Sequence, residues 1–158
     1  MAEKAMIENM ISWAKERLGH PEYAGWCLSF IEDALEMGNG IVVFGGDSAK
    51  ESSELYADAM RPGVPERGAF AFYDCLCPTE DGPVNWGHCA IGLGDGRIIH
   101  AWDVVRIDGY LDIEKMTALT GDHPRYLGWV PLDRVLVQRP FGTPLRDSVE
   151  AGGNPFVG

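Results

Sequence analysis

No stretch of this 158-residue sequence approaches the roughly 20 consecutive apolar residues that a membrane-spanning helix needs, so membrane insertion is not expected. Basic residues are scarce. Thirteen Lys and Arg stand against 24 Asp and Glu, and no cluster of cations forms the electrostatic footprint that binds phosphates, which argues against nucleic acid and against anionic membranes. The first residues, Met1-Ala2-Glu3-Lys4-Ala5-Met6-Ile7, lack a long apolar core and are interrupted by charge. The expectation is a cytoplasmic protein, or one exported by a non-classical route or encoded by a phage. Only four cysteines occur, in a chain large enough to bury a core without disulfides, so free thiols are expected. Repeats and low-complexity segments are also missing.

Glycine and proline are plentiful, at 20 and 10 residues, and they mark many tight turns. The hydrophobic period is helical in the first third of the chain. Residues 3–18 carry Ala5, Met6, Met10, Ile11, Ala14 and Leu18 on one stripe, ending at Gly19. Residues 26–37 carry Cys27, Phe30, Ile31, Ala34 and Leu35 on another, ending at Gly38-Asn39-Gly40. Asp47 is placed to cap a third helix over 48–60, with Leu55, Ala59 and Met60 inward. After Pro62 the period becomes alternating. Strands are expected at 68–73, 86–93, 97–102, 104–107 and 126–130, with a loop at 74–85, a short helix at 112–119 and a final element through Val137. Helices followed by an antiparallel sheet read as α+β, in one domain over 1–138 with an irregular tail at 139–158.

The chemistry concentrates in three places. Cys27 stands in the first turn of the second helix, where unpaired N–H groups and the helix dipole stabilise a thiolate and can hold an oxyanion. His88 and His100 lie on the two arms of a hairpin. A two-residue turn at Asp95-Gly96 would put the two imidazoles on opposite faces. A three-residue loop, Gly94-Asp95-Gly96, pairs Leu93 with Arg97 and puts them on one face as diagonal neighbours. In that register Ala90 and Gly92 share the face and leave room for a helix, while Cys89, Ile91 and Leu93 point into an apolar interior. The roles would be Cys27 as nucleophile, His88 as general base and then acid, and His100 as the group that orients His88.

Plainer readings stand beside this one. Cysteine is often a small buried apolar residue, and a histidine at a strand end is often structural. Cys75-Leu76-Cys77 with His88-Cys89 invites a zinc site, but the spacing lacks the usual two-residue gap and adjacent strand residues face opposite ways. No metal and no cofactor are expected. Gly94-x-Gly96 is a hairpin loop and not a phosphate loop, since no helix follows it.

The sequence resembles the NlpC/P60 cysteine peptidases of the papain-like superfamily over about residues 20–130. The resemblance rests on Cys27 at a helix start, on Gly68-Ala69-Phe70-Ala71-Phe72, and on His88-Cys89-Ala90-Ile91-Gly92-Leu93-Gly94-Asp95-Gly96-Arg97-Ile98-Ile99-His100. It implies a papain-like fold, N-terminal helices packed on a small antiparallel barrel-like sheet, and a Cys27-His88-His100 triad. It also implies amide hydrolysis, typically in peptidoglycan stem peptides, and a tyrosine ahead of the cysteine that contacts substrate, here Tyr23. The family commonly has Asp-Cys-Ser at the nucleophile, whereas this chain has Trp26-Cys27-Leu28. Trp26 is therefore counted with Tyr23, Trp86 and Trp102 as substrate-binding. The expected partner is a peptide or peptidoglycan-fragment substrate, met by a monomer. A thiol amide hydrolase or acyltransferase on another substrate, and a non-catalytic binding module of the same fold, are the alternatives.

Overall fold

The structure is a computed structural model that describes residues 4–137. The expected tail at 139–158 lies outside the described residues. Two helices form the first layer. Helix α1 (Lys4–Lys15) buries Met10, Ile11 and Ala14, and helix α2 (Cys27–Asn39) buries Cys27, Leu28, Phe30, Ile31, Ala34 and Leu35. They pack closely because Gly38 has no side chain; a Cβ there would sit 2.8 Å from the Asn9 carbonyl oxygen. Asn39 fastens the pair by donating to the Met6 carbonyl at 3.0 Å. Helix α2 ends at Gly40, whose φ of 65° is the left-handed cap that glycine adopts without cost from a Cβ.

Helix α3 is shorter than its sequence period implies, Ala49–Leu55, and continues as a 3-10 turn at Ala57–Ala59. Ser48, not Asp47, is its cap, accepting from the Glu51 N–H at 3.1 Å. Leu55 faces solvent, and Tyr56, one residue on, is buried against Phe72 instead.

The second layer is a five-stranded antiparallel sheet in the order β6-β5-β4-β1-β7. Its strands are β1 (Phe70–Asp74), β4 (His88–Gly92), β5 (Arg97–Ala101), β6 (Val105–Gly109) and β7 (Arg125–Val130). The 74–85 segment is not a plain loop; it carries a small hairpin of β2 (Leu76–Cys77) and β3 (Val84–Asn85). Helix 112–119 shrinks to a 3-10 turn, Asp112–Lys115, and helix α4 (Leu132–Leu136) closes the described chain.

The main core lies between α1, α2 and one face of the sheet, where Phe70, Phe72, Cys89, Ile91, Ile99, Ala101 and Val130 meet the helices. The opposite face holds Ala71, Tyr73, Ala90 and Ile98, covered by Ile113. Helix α2 therefore packs on the Cys89/Ile91 face, not on the Ala90/Gly92 face expected from residue size. Gly92 is small for another reason: the 65–66 segment crosses it, and a Cβ would lie 2.5 Å from the Glu66 carbonyl oxygen.

Candidate active site

The hairpin register decides whether the two histidines meet. Ile91 pairs with Ile99 and Gly92 with Ile98, and the Leu93 N–H donates to the Arg97 carbonyl at 2.9 Å. This is the three-residue loop, with Gly94 and Gly96 at φ of 92° and 90°. His88 and His100 share a face, and His88 Nε2 lies 2.8 Å from His100 Nδ1 with the rings near perpendicular at 82°.

The network extends one residue further than the sequence suggests. His100 Nε2 lies 2.8 Å from Asp108 Oδ2, and the Arg106 guanidinium holds the same oxygen at 2.8 Å. Strand β6 supplies both, since it pairs with β5 and sets His100 opposite Arg106. The carboxylate fixes the protons. It accepts only, so His100 carries its hydrogen on Nε2 and presents a lone pair at Nδ1. His88 then donates from Nε2 to His100, which leaves His88 Nδ1 as the nitrogen for the Cys27 thiol. Burial, opposed by Asp108, pushes the His100 pKa down to about 4, so this imidazole is neutral at pH 7.

Cys27 begins α2 at the end of the sheet where β4 starts. Two backbone ties set this position. Lys50 N–H donates to the Trp86 carbonyl at 2.8 Å, fixing the entry to β4, and the Gly19 N–H and His20 carbonyl pair with Val105 at 2.8 and 3.0 Å, holding the loop before α2 against β6. The Cys27 sulfur lies beside the His88 imidazole. It also accepts hydrogen bonds from the thiol and the backbone N–H of Cys89. The Cys89 thiol, together with the His88 imidazole and that N–H, holds the Cys27 thiol well below its ordinary range, against the pull of complete burial. Cys89 is driven the opposite way, by burial and by the neighbouring Cys27. The N-cap Trp26 gives no side-chain hydrogen bond, so no side chain caps the first turn of α2 beside the sulfur.

His88 and Cys89 thus both touch Cys27 although they point to opposite faces. Cys89 was legible only as an apolar core residue, and nothing in the spacing marks its contact with Cys27. Asp108 could have been found from the β5–β6 hairpin, as a carboxylate on the strand beside His100.

The four residues expected to bind substrate separate. Trp102 packs edge-on against His88, 5.1 Å between ring centroids, and lines a cavity of about 380 Å³. Trp86 packs with Cys75, Cys77 and Ala118 behind that cavity's wall. Trp26 is half-buried at the head of α2. Tyr23 is not among the residues lining that cavity; its hydroxyl donates to Asp33 at 2.6 Å and its ring packs on Trp13 and Phe30. Among the described residues no group of three or more His, Cys, Asp or Glu is arranged to hold a metal ion.

The comparison with solved structures decides the fold. An NLP/P60-family lipoprotein-like protein from Staphylococcus aureus superposes over 82% of this chain with a TM-score of 0.55 and 18% identity. RipD from Mycobacterium tuberculosis, described as a non-catalytic NlpC/P60 domain protein adapted to peptidoglycan binding, superposes over 82% with a TM-score of 0.51 and 16% identity. The chain has the NlpC/P60 fold. The chain spans 42% of the staphylococcal protein and 99% of the RipD chain. Neither the family models nor the curated proteins compared with the sequence give a match.

Proposed function

We propose that the protein is a thiol-dependent amide hydrolase in which Cys27, His88 and His100 act in line, with Asp108 anchoring the far end. The observation that carries this reading is the unbroken series of contacts from the Cys27 sulfur through His88 and His100 to Asp108. His88 takes the Cys27 proton, and the thiolate attacks the amide carbonyl, forming a C–S bond. The N–H groups at the head of α2 face the resulting oxyanion. His88 then protonates the leaving nitrogen, the C–N bond breaks, and a thioester remains. Water, deprotonated by His88, releases the acid and restores the thiol.

Peptidoglycan stem peptides are the first substrate to test. The fold shared with two NlpC/P60 proteins, one of them described as peptidoglycan-binding, supports that choice. A non-catalytic binding role is the second reading. It is favoured by the complete burial of both Cys27 and His88, and by the description of RipD as non-catalytic. On the hydrolytic reading, the residues over the sulfur must part for substrate to enter.

The purified protein is incubated with stem peptides and the products are followed by mass spectrometry, while iodoacetamide labelling reports on the thiol. New fragments that vanish in Cys27→Ala and His88→Ala support hydrolysis of wall peptides. Rapid Cys27 labelling with intact peptides moves the substrate elsewhere. Peptidoglycan binding with an unreactive Cys27 establishes the second reading.

A further inference from the structure

The cavity lined by Trp102, whose ring packs on His88, has a definite chemical character. Its walls come from the residues leading into Cys27 (Ala24 and Gly25), the β2 hairpin, the turn after β5, and the segment after the 112–115 turn. Leu76, Cys77, Pro78, Trp102 and Ala118 supply apolar surface. Cys75 also lines it, and its thiol is kept protonated, pushed far up by its contact with Cys77 and by burial. Among the described residues, no Lys, Arg or His lines it. The one charge is the Asp103 carboxylate, which Arg106 meets at 3.3 Å. The volume, about 380 Å³, lies within the range of small-ligand sites. The cavity adjoins the chemistry, since Trp102 packs on His88 and Gly25 is two residues from the nucleophile.

We infer that this cavity is a specificity pocket for an uncharged aliphatic group flanking the amide that Cys27 attacks. An anionic group would enter beside the Asp103 carboxylate, and the nearby Arg106 guanidinium is already paired with Asp103 and Asp108, in a protein of net charge −11. Its desolvation would go uncompensated. An aliphatic chain leaves water for Leu76, Pro78, Trp102 and Ala118 and strands no polar group. The inference rests on the hydrolase reading for what the bound group is used for, but not for its binding. It places the preferred substrate among amides with a neutral aliphatic arm, and puts peptides whose arm carries a carboxylate at a disadvantage.

The test uses the full chain carrying Cys27→Ala, so that nothing is turned over. N-methyloctanamide and its ω-carboxylated counterpart are titrated while tryptophan fluorescence and calorimetry are followed. The neutral amide is expected to bind at least tenfold more tightly. Ala118→Trp, which fills the cavity, should abolish that difference. Thr117→Arg, at an exposed lining position, should shift the preference towards the carboxylated compound, and it guards against misfolding of the first variant. Equal or tighter binding of the carboxylated amide to the parent, or indifference to both substitutions, overturns the pocket. If the pocket binds as expected while the wild-type chain cleaves no amide, the hydrolase reading fails alone. If the wild-type chain cleaves amides with no aliphatic preference and the pocket does not bind, the pocket fails alone.

Discussion

Two pairs of cysteines lie a short way apart, and they behave oppositely. Cys27 with Cys89, and Cys75 with Cys77, are all buried and all free thiols. In the first pair one thiol is driven well below its usual range; in the second Cys75 is driven far above it. Burial acts against the thiolate in both, so burial is not the difference. Cys27 opens a helix, receives an N–H and a thiol from Cys89, and touches an imidazole. Cys75 has as its main partner a second thiol, which competes with it for charge, in an apolar cluster with Ala118, Trp86 and Trp102. The donors around each sulfur, and not its depth, therefore set the direction in which its pKa moves.

The comparison breaks most severely if His88 is removed. His88→Ala should slow iodoacetamide alkylation of Cys27 at neutral pH by on the order of 10²- to 10³-fold, read by mass spectrometry of the labelled peptides. Cys75 and Cys77 should stay unlabelled in the folded chain of either variant, and all four cysteines should label alike in denaturant. A folded chain in which Cys75 labels as fast as Cys27 removes the contrast.

The next effect is on stability and comes from the prop behind His88. The His100 pKa falls from an unfolded value near 6.5 to about 4 in the folded chain. The unfolded state therefore binds the proton first. Stability is fully present above pH 6.5 and is lost as pH falls towards 4, by roughly 3 kcal/mol from this group. Denaturant unfolding across that window should show the slope, and His100→Gln should remove most of it. A flat profile in the parent chain would contradict a buried neutral His100.

Smaller effects sharpen the contrast. Asp108→Asn exchanges a charge-assisted hydrogen bond for a neutral one and should lower the Cys27 reaction rate about tenfold, with the fold intact by circular dichroism. Cys89→Ala removes the thiol donor while keeping the N–H. It should raise the midpoint of the Cys27 alkylation–pH profile by about one unit, and Cys89→Ser should return part of that shift. Replacing Cys77 with Ala should leave that midpoint within a few tenths of a unit.

Much of this site was readable in the linear chain because its signals are local. The Gly94-Asp95-Gly96 turn marks a hairpin with one histidine on each arm, and the register selects the faces that bring His88 to His100. A glycine-bounded apolar stripe starting at Cys27 locates the helix start. The signals that failed are those where local preference lost to packing. Asp47 and Ser48 are both good caps, and only the path of the chain chose Ser48. The short β2–β3 hairpin has too few residues for alternation to show. Small residues at Ala90 and Gly92 suggested the approach of a helix, but Gly92 makes room for the 65–66 segment, and α2 packs on the larger side chains of the other face.

By itself the sequence determined the helix that opens on a thiol, a hairpin with one histidine on each arm, and the excess of negative charge, because each depends on turn chemistry, side-chain period or composition within a few dozen residues. Only the tertiary structure decided the register that brings His88 to His100, that Cys27 meets His88, that Cys89 turns from core filler into a hydrogen-bond donor, that Asp108 closes the series, and that an apolar cavity opens against Trp102. Those depend on which surfaces distant segments bury against each other, and apolar burial favours contact without specifying in the chain which partner will provide it.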